Sequence, residues 1–314
     1  MARLPGMTTS LKSPIQLGDP VEHRGVVIAP LFPRTDPRAE YLTLDQAVAL
    51  GFHVTELDAA GSVPELLAKN PLDSNVLLYD GEELLGAKQN RILNVTALVP
   101  ARSETTIPVS CVEEGRWSAR SAHFAPSTHT AYPELRRRKA VQLSAAPFER
   151  GLAQHAVWEE VASKADRLGV DSPTRAQADI YRARPTPDDL RDAFPLVPGQ
   201  SGALLALGER FCLDYVSRPD AFARLYPKLL AGYLLDAREH AGEQRGDLDA
   251  FLERTLAAPR SRRPSAGLGE DVRLAADDVI GSGLALDGEL LQLCAFSGEA
   301  HAASTRIARA SSRF

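Results

Sequence analysis

The sequence is poor in cysteine and contains no long apolar run. Of its 314 residues only three are cysteines, and Cys111, Cys212 and Cys294 stand far apart without a Cys-x-x-Cys pair. Such spacing argues against a disulfide scaffold and against a cysteine-rich zinc site. No stretch approaches the roughly 18 apolar residues of a membrane helix, and the first residues lack an apolar run of signal-peptide length. We therefore expect a cytoplasmic protein with no membrane partner.

Strong charge of one sign and the common catalytic signatures are also missing. The net charge is −5 and the isoelectric point is about 5.9, which argues against a nucleic-acid partner. The sequence has no GxGxxG, Walker A, GxSxG or HExxH pattern. It therefore identifies no cofactor, and we predict no metal site.

The composition is that of a globular protein with both strands and helices. Hydrophobic residues make up 44% and charged residues 25%, enough to bury a core. Strand-like runs dominate between about residues 25 and 117, helical spacing follows from 133, and strands return at 201–216. A helical block between strand blocks, without βαβ alternation, predicts an α+β fold with a mostly antiparallel sheet. Apolar spacing over 219–240 predicts a long helix in the C-terminal half.

The same patterns predict one domain between two tails, together with two local features. Asp80-Gly81 between apolar runs predicts a β-hairpin, and the run from Arg136 to Lys139 predicts a solvated helix face. The chain is predicted to consist of a flexible tail at 1–20, a single α+β domain at 21–300 and a basic tail at 301–314. Within the domain, residues 21–132 are predicted to be strand-rich, 133–198 helical and 199–300 mixed, with an exposed loop near 259–270.

Polar residues interrupt an otherwise apolar, strand-like segment at 81–94, which reads GEELLGAKQNRILN. Burying such groups without partners costs several kcal/mol, so they must be exposed, mutually paired or facing a ligand. Arginine can bind a phosphate or carboxylate at two points, lysine adds a point charge, and asparagine both donates and accepts. The alternative is a solvated strand edge whose charges prevent aggregation.

A second polar cluster ends the next strand, in IPVSCVEEGRW at 107–117. Cys111 is a candidate nucleophile if a base lies nearby, and otherwise an inert buried thiol. Glu113 is a candidate general base or a partner for an arginine. Trp117 can stack a ring or pack in the core.

The two motifs together resemble the ARG and rhodanese-phosphatase-superfamily-associated protein family, in which ARG stands for ADP-ribosylglycohydrolase. The resemblance runs from about Val76 to Ala237 and includes QHAVWEEV at 154–161. It implies a role near ADP-ribose or NAD metabolism, by association only. By motif position, the implied catalytic candidates are Glu82, Glu83, Cys111 and Glu113. The implied ligand-binding candidates are Lys88, Gln89, Asn90, Arg91, Asn94, Arg116 and Trp117.

Three functions fit these residues, and whether the protein is an enzyme stays open. In the first, the cations hold the diphosphate of an ADP-ribose-like molecule, the asparagines bind ribose, Trp117 stacks a ring and a glutamate orients water. In the second, the motif residues pair internally and the protein is a non-catalytic module that binds a partner enzyme. In the third, Glu82, Glu83 and Glu113 are the hard ligands of a metal-dependent phosphoesterase, although an Asp/His framework is missing.

Overall fold

The computed structural model describes residues 14–57, 64–118, 121–145, 150–244 and 246–298. The strands in chain order are β1 (Ile15–Leu17), β2 (Val21–His23), β3 (Val26–Pro33), β4 (Leu42–Thr43), β5 (His53–Glu56), β6 (Glu65–Asn70), β7 (Val76–Leu78), β8 (Glu82–Gly86), β9 (Arg91–Leu93), β10 (Ala97–Val99), β11 (Ser103–Cys111), β12 (Phe124–Thr130), β13 (Gly202–Leu207), β14 (Arg210–Val216), β15 (Arg260–Pro264), β16 (Glu270–Ala275), β17 (Val279–Leu286) and β18 (Glu289–Ser297). The helices are α1 (Leu44–Ala49), α2 (Pro133–Ala145), α3 (Arg150–Arg167), α4 (Gln177–Ala183), α5 (Asp188–Asp192), α6 (Pro219–His240) and α7 (Leu248–Ala257).

The largest sheet of the described chain has nine antiparallel strands and is covered on both faces. Its order is β1-β3-β13-β14-β18-β17-β16-β15, with β2 beside β3. Apolar residues of α6 share a buried cluster with Leu205 and Phe296 on one face. On the other face, Phe251 of α7 shares a cluster with Leu213. Successive side chains of a strand point to opposite faces of the sheet. Since both faces are covered, β13 is buried along its whole length.

Another group of strands closes into a small barrel in the order β11-β6-β5-β12-β8-β9, with β9 returning to β11. Alternate residues such as Val54, Leu84 and Val109 fill its interior. The closure is uneven, because β11 and β6 pair over their whole shared length, whereas β12 and β5 pair at Phe124 and Val54 alone within the described residues. We call this single pair the seam.

Helices cover the outside of the barrel. Ile92 and Val112, on its outer side, share a buried cluster with Val157 of α3 and Ile180 of α4. A short sheet of β10, β7 and β4 lies in the same part of the chain. Among the helices of the described ranges, none is long and apolar enough to cross a membrane.

The α+β class and the antiparallel sheet are confirmed, and three local predictions are wrong. Strand β7 pairs with β10 and β4 rather than with β8, so Asp80-Gly81 does not close a hairpin. The predicted loop near 259–270 begins with strand β15. The described end of the predicted tail at 1–20 contains strand β1, whereas residues 1–13 lie outside the described residues. The basic tail at 301–314 lies outside the described residues, and the single-domain division stays a prediction.

The prediction of a solvated Arg136–Lys139 face is also wrong. Arg136 and Lys139 are both fully buried, because they lie three residues apart on the side of α2 that faces the sheets. Arg136 pairs with Asp214 of β14, and Lys139 pairs with Asp80. Each charge is therefore neutralised by a partner far away in the sequence.

Candidate functional site

The two polar motifs lie side by side in the barrel. Strand β9 begins at Arg91 and pairs with β8 on one side and with the end of β11 on the other. The register places Arg91 opposite Cys111. Between β8 and β9 the chain turns, with positive φ angles of 121° at Gly86 and 39° at Ala87. The chain is therefore not extended over residues 87–90, and its side chains alternate between the two faces only within β9.

Arg91, Cys111 and Glu56 project into one end of the barrel, which we call the barrel mouth. Cross-strand neighbours share a face of a sheet. Arg91 lies opposite Leu84 as well as Cys111, and Glu56, at the end of β5, lies opposite Leu66. Because Leu84 and Leu66 belong to the barrel interior, their partners point inward too.

Arg116 fixes the turn between β8 and β9. Its Nη1 donates to the carbonyl oxygens of Ala87 and Ser118, both at 2.8 Å. Its Nη2 lies 2.7 Å from Glu113 Oε2 and 3.1 Å from Asn90 Oδ1. Glu113 Oε2 also accepts the backbone N–H of Asn90 at 3.2 Å. Arg116, Glu113 and Asn90 therefore bind one another and shape the turn. Asn94 lies outside this turn, at the end of β9, where Ser110 Oγ of β11 donates to its Oδ1 at 2.9 Å.

Cys111 is held as a neutral thiol. Gln154 of α3 accepts the Cys111 backbone N–H at 2.7 Å and donates to its carbonyl oxygen at 2.9 Å. Burial raises the pKa of the Cys111 thiol to about 11. Since the thiolate is the nucleophile, this environment does not favour nucleophilic catalysis at neutral pH.

The three candidate glutamates belong to separate networks. Glu82 pairs with Lys228 at 3.3 Å, and burial raises the pKa of its carboxyl group. Glu83 points to the opposite side of β8, where its Oε2 lies 2.5 Å from His129 Nε2. Glu113 is bound to the turn. Within the described ranges, no group of three or more His, Cys, Asp and Glu side chains could hold a metal ion.

Arg91 is buried without an anionic partner. Its side chain is 0% exposed, and its Nη1 donates to Gln89 Oε1 at 2.8 Å and to Cys111 Sγ at 2.6 Å. Its Nε and Nη2 have no hydrogen-bond partner. Burial lowers the pKa of the Arg91 guanidinium, as expected for a charge taken out of water. The other buried arginines of the described chain are each paired with a carboxylate, namely Arg116, Arg136 and Arg273.

Trp117 covers Arg91 on the outside of the barrel mouth. Its side chain is 49% exposed, and the Arg91 Cζ atom lies 5.7 Å from the centre of the indole. Lys88 Nζ lies 5.5 Å from the same ring. The mouth thus combines a buried guanidinium, a second cation and a half-exposed aromatic face.

The structure adds residues that the sequence did not single out. Glu56 Oε1 accepts the backbone N–H of Lys88 at 3.2 Å, and Glu56 Oε2 is buried without a hydrogen-bond partner. The available signal was a carboxylate at an inward position of β5, two residues after Val54. His129, besides its contact with Glu83, stacks on Tyr181 with ring centres 3.9 Å apart.

A cavity of about 630 Å³ lies away from the barrel mouth, between the start of α2 and the end of α6. Phe296 contributes to its lining, together with the charged side chains of Glu134, Arg210 and Asp236. Glu134 is paired with Arg210 at 3.1 Å, and Asp236 with Lys164 at 2.7 Å. Because these buried charges have partners, the cavity lacks the unpaired buried charge that Arg91 brings to the barrel mouth.

Comparison with known proteins assigns the chain to a family. A family model described as the ARG and Rhodanese-Phosphatase-superfamily-associated Protein domain matches residues 14–296. The chain belongs to this family. The match extends well beyond the region of resemblance in the sequence and covers the barrel, the short sheet and nearly all of the nine-stranded sheet. Searches of curated proteins and of solved structures gave no significant match.

Proposed function

We propose that the protein binds a phosphate-bearing, ADP-ribose-like ligand at the barrel mouth. The observation that carries the proposal is the pair of buried, unpaired N–H donors on Arg91, at Nε and Nη2. These two nitrogens form one edge of the guanidinium, and their parallel N–H bonds match two oxygens of a phosphate or carboxylate group. An anion bound there would satisfy both donors and neutralise the buried charge.

The same edge of arginine binds carboxylates elsewhere in this chain. Arg102 donates through Nε and Nη2 to the two Asp73 carboxylate oxygens at 2.7 and 2.9 Å. Arg218 binds Asp220 in the same way, at 3.0 and 2.9 Å. Those pairs are on the surface, where water can replace the partner. At Arg91 the donors are buried, so leaving them without an acceptor costs more.

Trp117 and Lys88 supply the remainder of the recognition surface. The half-exposed indole offers a face on which a base or a sugar can stack. Lys88 adds a positive charge beside that face. Because Arg91 itself is fully buried, we expect the Trp117 side chain to move when the ligand enters.

The chemistry at the mouth supports binding rather than hydrolysis. Cys111 is a neutral thiol and Glu113 is bound to Arg116, while Glu82 and Glu83 lie in other networks. The mutual pairing of Arg116, Glu113 and Asn90 also fits a non-catalytic interaction module. A module of this kind can bind both the ligand and a partner enzyme. The family description, with its reference to ADP-ribosylglycohydrolase, supports the choice of ADP-ribose as the first ligand to test and a role in NAD-linked metabolism.

The test is calorimetric titration of the full chain with ADP-ribose, ribose 5-phosphate and orthophosphate at low ionic strength. We expect Arg91→Met to weaken binding at least about tenfold, since two charge-assisted hydrogen bonds are lost. Arg102→Met is the matched control, because it removes an exposed arginine that uses the same edge. It should leave binding unchanged.

Fluorescence provides a second readout. The chain has two tryptophans, so a Trp158→Phe background isolates Trp117, whose emission should change on ligand addition. Failure of all three probes to bind the wild-type chain, or equal binding by Arg91→Met, would overturn the proposal.

A further inference from the structure

Glu56 is a second polar group at the barrel mouth, and only one of its two carboxylate oxygens accepts a hydrogen bond. Its Oε1 is fixed by the backbone N–H of Lys88 at 3.2 Å, and its Oε2 is buried without a partner. Its charge acts on both Arg91 and Cys111, the two inward-facing residues across the mouth. Glu56 nevertheless forms no ion pair with Arg91.

The mouth therefore presents donors on one side and an acceptor on the other. Arg91 Nε and Nη2 need an acceptor, whereas Glu56 Oε2 needs a donor. A fully ionised phosphate can satisfy Arg91 but is repelled by the Glu56 carboxylate. A hydroxyl group close to the anion can donate to Glu56, so one molecule that carries both groups matches both sides.

We propose that Glu56 is a specificity-determining residue that selects sugar phosphates over phosphates without a hydroxyl group. This inference rests on the proposed function, because it assumes that Arg91 binds the anionic group. Glu56 then accepts a hydrogen bond from the neighbouring sugar hydroxyl, and its negative charge repels anions that cannot donate a hydrogen bond. The turn held by Arg116 contributes indirectly, since it places the Lys88 N–H that orients the Glu56 carboxylate.

The experiment compares ribose 5-phosphate, which carries free sugar hydroxyls, with methyl phosphate, which has no hydroxyl once its phosphate is fully ionised at about pH 8. Dissociation constants are measured by calorimetry at one pH and one ionic strength for the wild-type full chain. We expect ribose 5-phosphate to bind at least about tenfold more tightly, as a hydrogen bond to a charged acceptor implies. A wild-type ratio near one would overturn the inference without any variant.

Glu56→Gln tests whether Glu56 is the source of this preference. Loss of the charge removes the repulsion of methyl phosphate and weakens the bond to the hydroxyl, so the ratio should fall about fivefold or more. Glu104→Gln is the matched control, because Glu104 lies on barrel strand β11 with its side chain 58% exposed. It should keep the wild-type ratio.

The two proposals fail in different ways. If both phosphates bind in an Arg91-dependent manner but Glu56→Gln leaves their ratio unchanged, the anion site stands and the role of Glu56 is refuted. A water molecule that merely bridges Arg91 and Glu56 would give that result. If Arg91→Met binds both phosphates as the wild type does, the anion site itself is refuted.

Discussion

Arg136 and Asp214 form a two-point ion pair in which neither side chain is exposed, with Nη1 2.9 Å from Oδ2 and Nη2 2.6 Å from Oδ1. The hydroxyl groups of Tyr79 and Tyr233 donate to the same carboxylate at 2.6 Å each. Burial alone would raise the pKa of Asp214, but the Arg136 guanidinium and these donors hold it below its usual range. The pair joins α2 to the large sheet.

Removing one member of this pair should be strongly destabilising. We expect Asp214→Asn to lower the free energy of unfolding by about 3–5 kcal/mol, because Arg136 is left as an uncompensated buried charge. Arg102→Met, which breaks a fully exposed pair with Asp73, should leave the free energy of unfolding nearly unchanged. Urea denaturation of both variants checks the contrast, and equal losses would contradict it.

Arg91 and Arg116 should respond in opposite ways to the same substitution. Arg116→Met breaks the buried ion pair with Glu113 and removes the donors that hold the turn, so it should cost about 3–5 kcal/mol. Arg91→Met removes a buried charge that has no anionic partner, so without ligand the variant should be as stable as the wild type or more stable. Thermal and urea unfolding measure both. A large loss of stability in Arg91→Met would make that residue structural.

Glu134 should make stability depend on pH in the acid range. Although burial opposes it, pairing with Arg137, Arg138 and Arg210 lowers the pKa of Glu134 from 4.5 to about 2. Because the pKa of Glu134 is lower in the folded chain than in the unfolded chain, its ionised carboxylate stabilises the fold above pH 4.5. This contribution to the free energy of unfolding is lost as the pH falls toward 2. Glu134→Gln should therefore flatten the decline in urea stability across that window. Glu104→Gln should retain the wild-type decline, and identical profiles for all three proteins would refute this role.

The thiol groups should be unreactive in the folded protein. All three cysteines are free and buried, and burial raises the pKa of Cys111 and of Cys294 to about 11. A thiol-specific disulfide reagent at pH 8 should label none of them in the native state within minutes, and all of them in urea. Rapid labelling of Cys111 in the native protein, identified by mass spectrometry, would restore Cys111 as a candidate nucleophile.

The fold class and several elements were predictable because their signals are local. The spacing of apolar residues gives α6, and Asp287-Gly288, with positive φ angles of 50° and 79°, closes the hairpin of β17 and β18. The Asp80-Gly81 turn has the same residues, but its flanking strands join different sheets. A dipeptide specifies the turn and not the partners of the strands beside it.

The candidate site was only partly predictable, for the same reason. The sequence indicated the polar motifs, but their adjacency depends on the pairing of Arg91 with Cys111 across 20 residues. Glu56 belongs to neither motif and reaches the mouth only because β5 is part of the barrel. The burial of Arg136 likewise depends on Asp214, which lies 78 residues away.

The seam between β12 and β5 is held by fewer paired residues than the β11–β6 side of the barrel. Only Phe124 and Val54 pair across it in the described chain, so few backbone hydrogen bonds resist separation there. The strand on one side of the seam carries Glu56 at its end. Local separation of β12 from β5 can therefore widen the barrel mouth while the longer β11–β6 ladder stays intact. Amide hydrogens beside the seam should then exchange with solvent before those of the β11–β6 ladder.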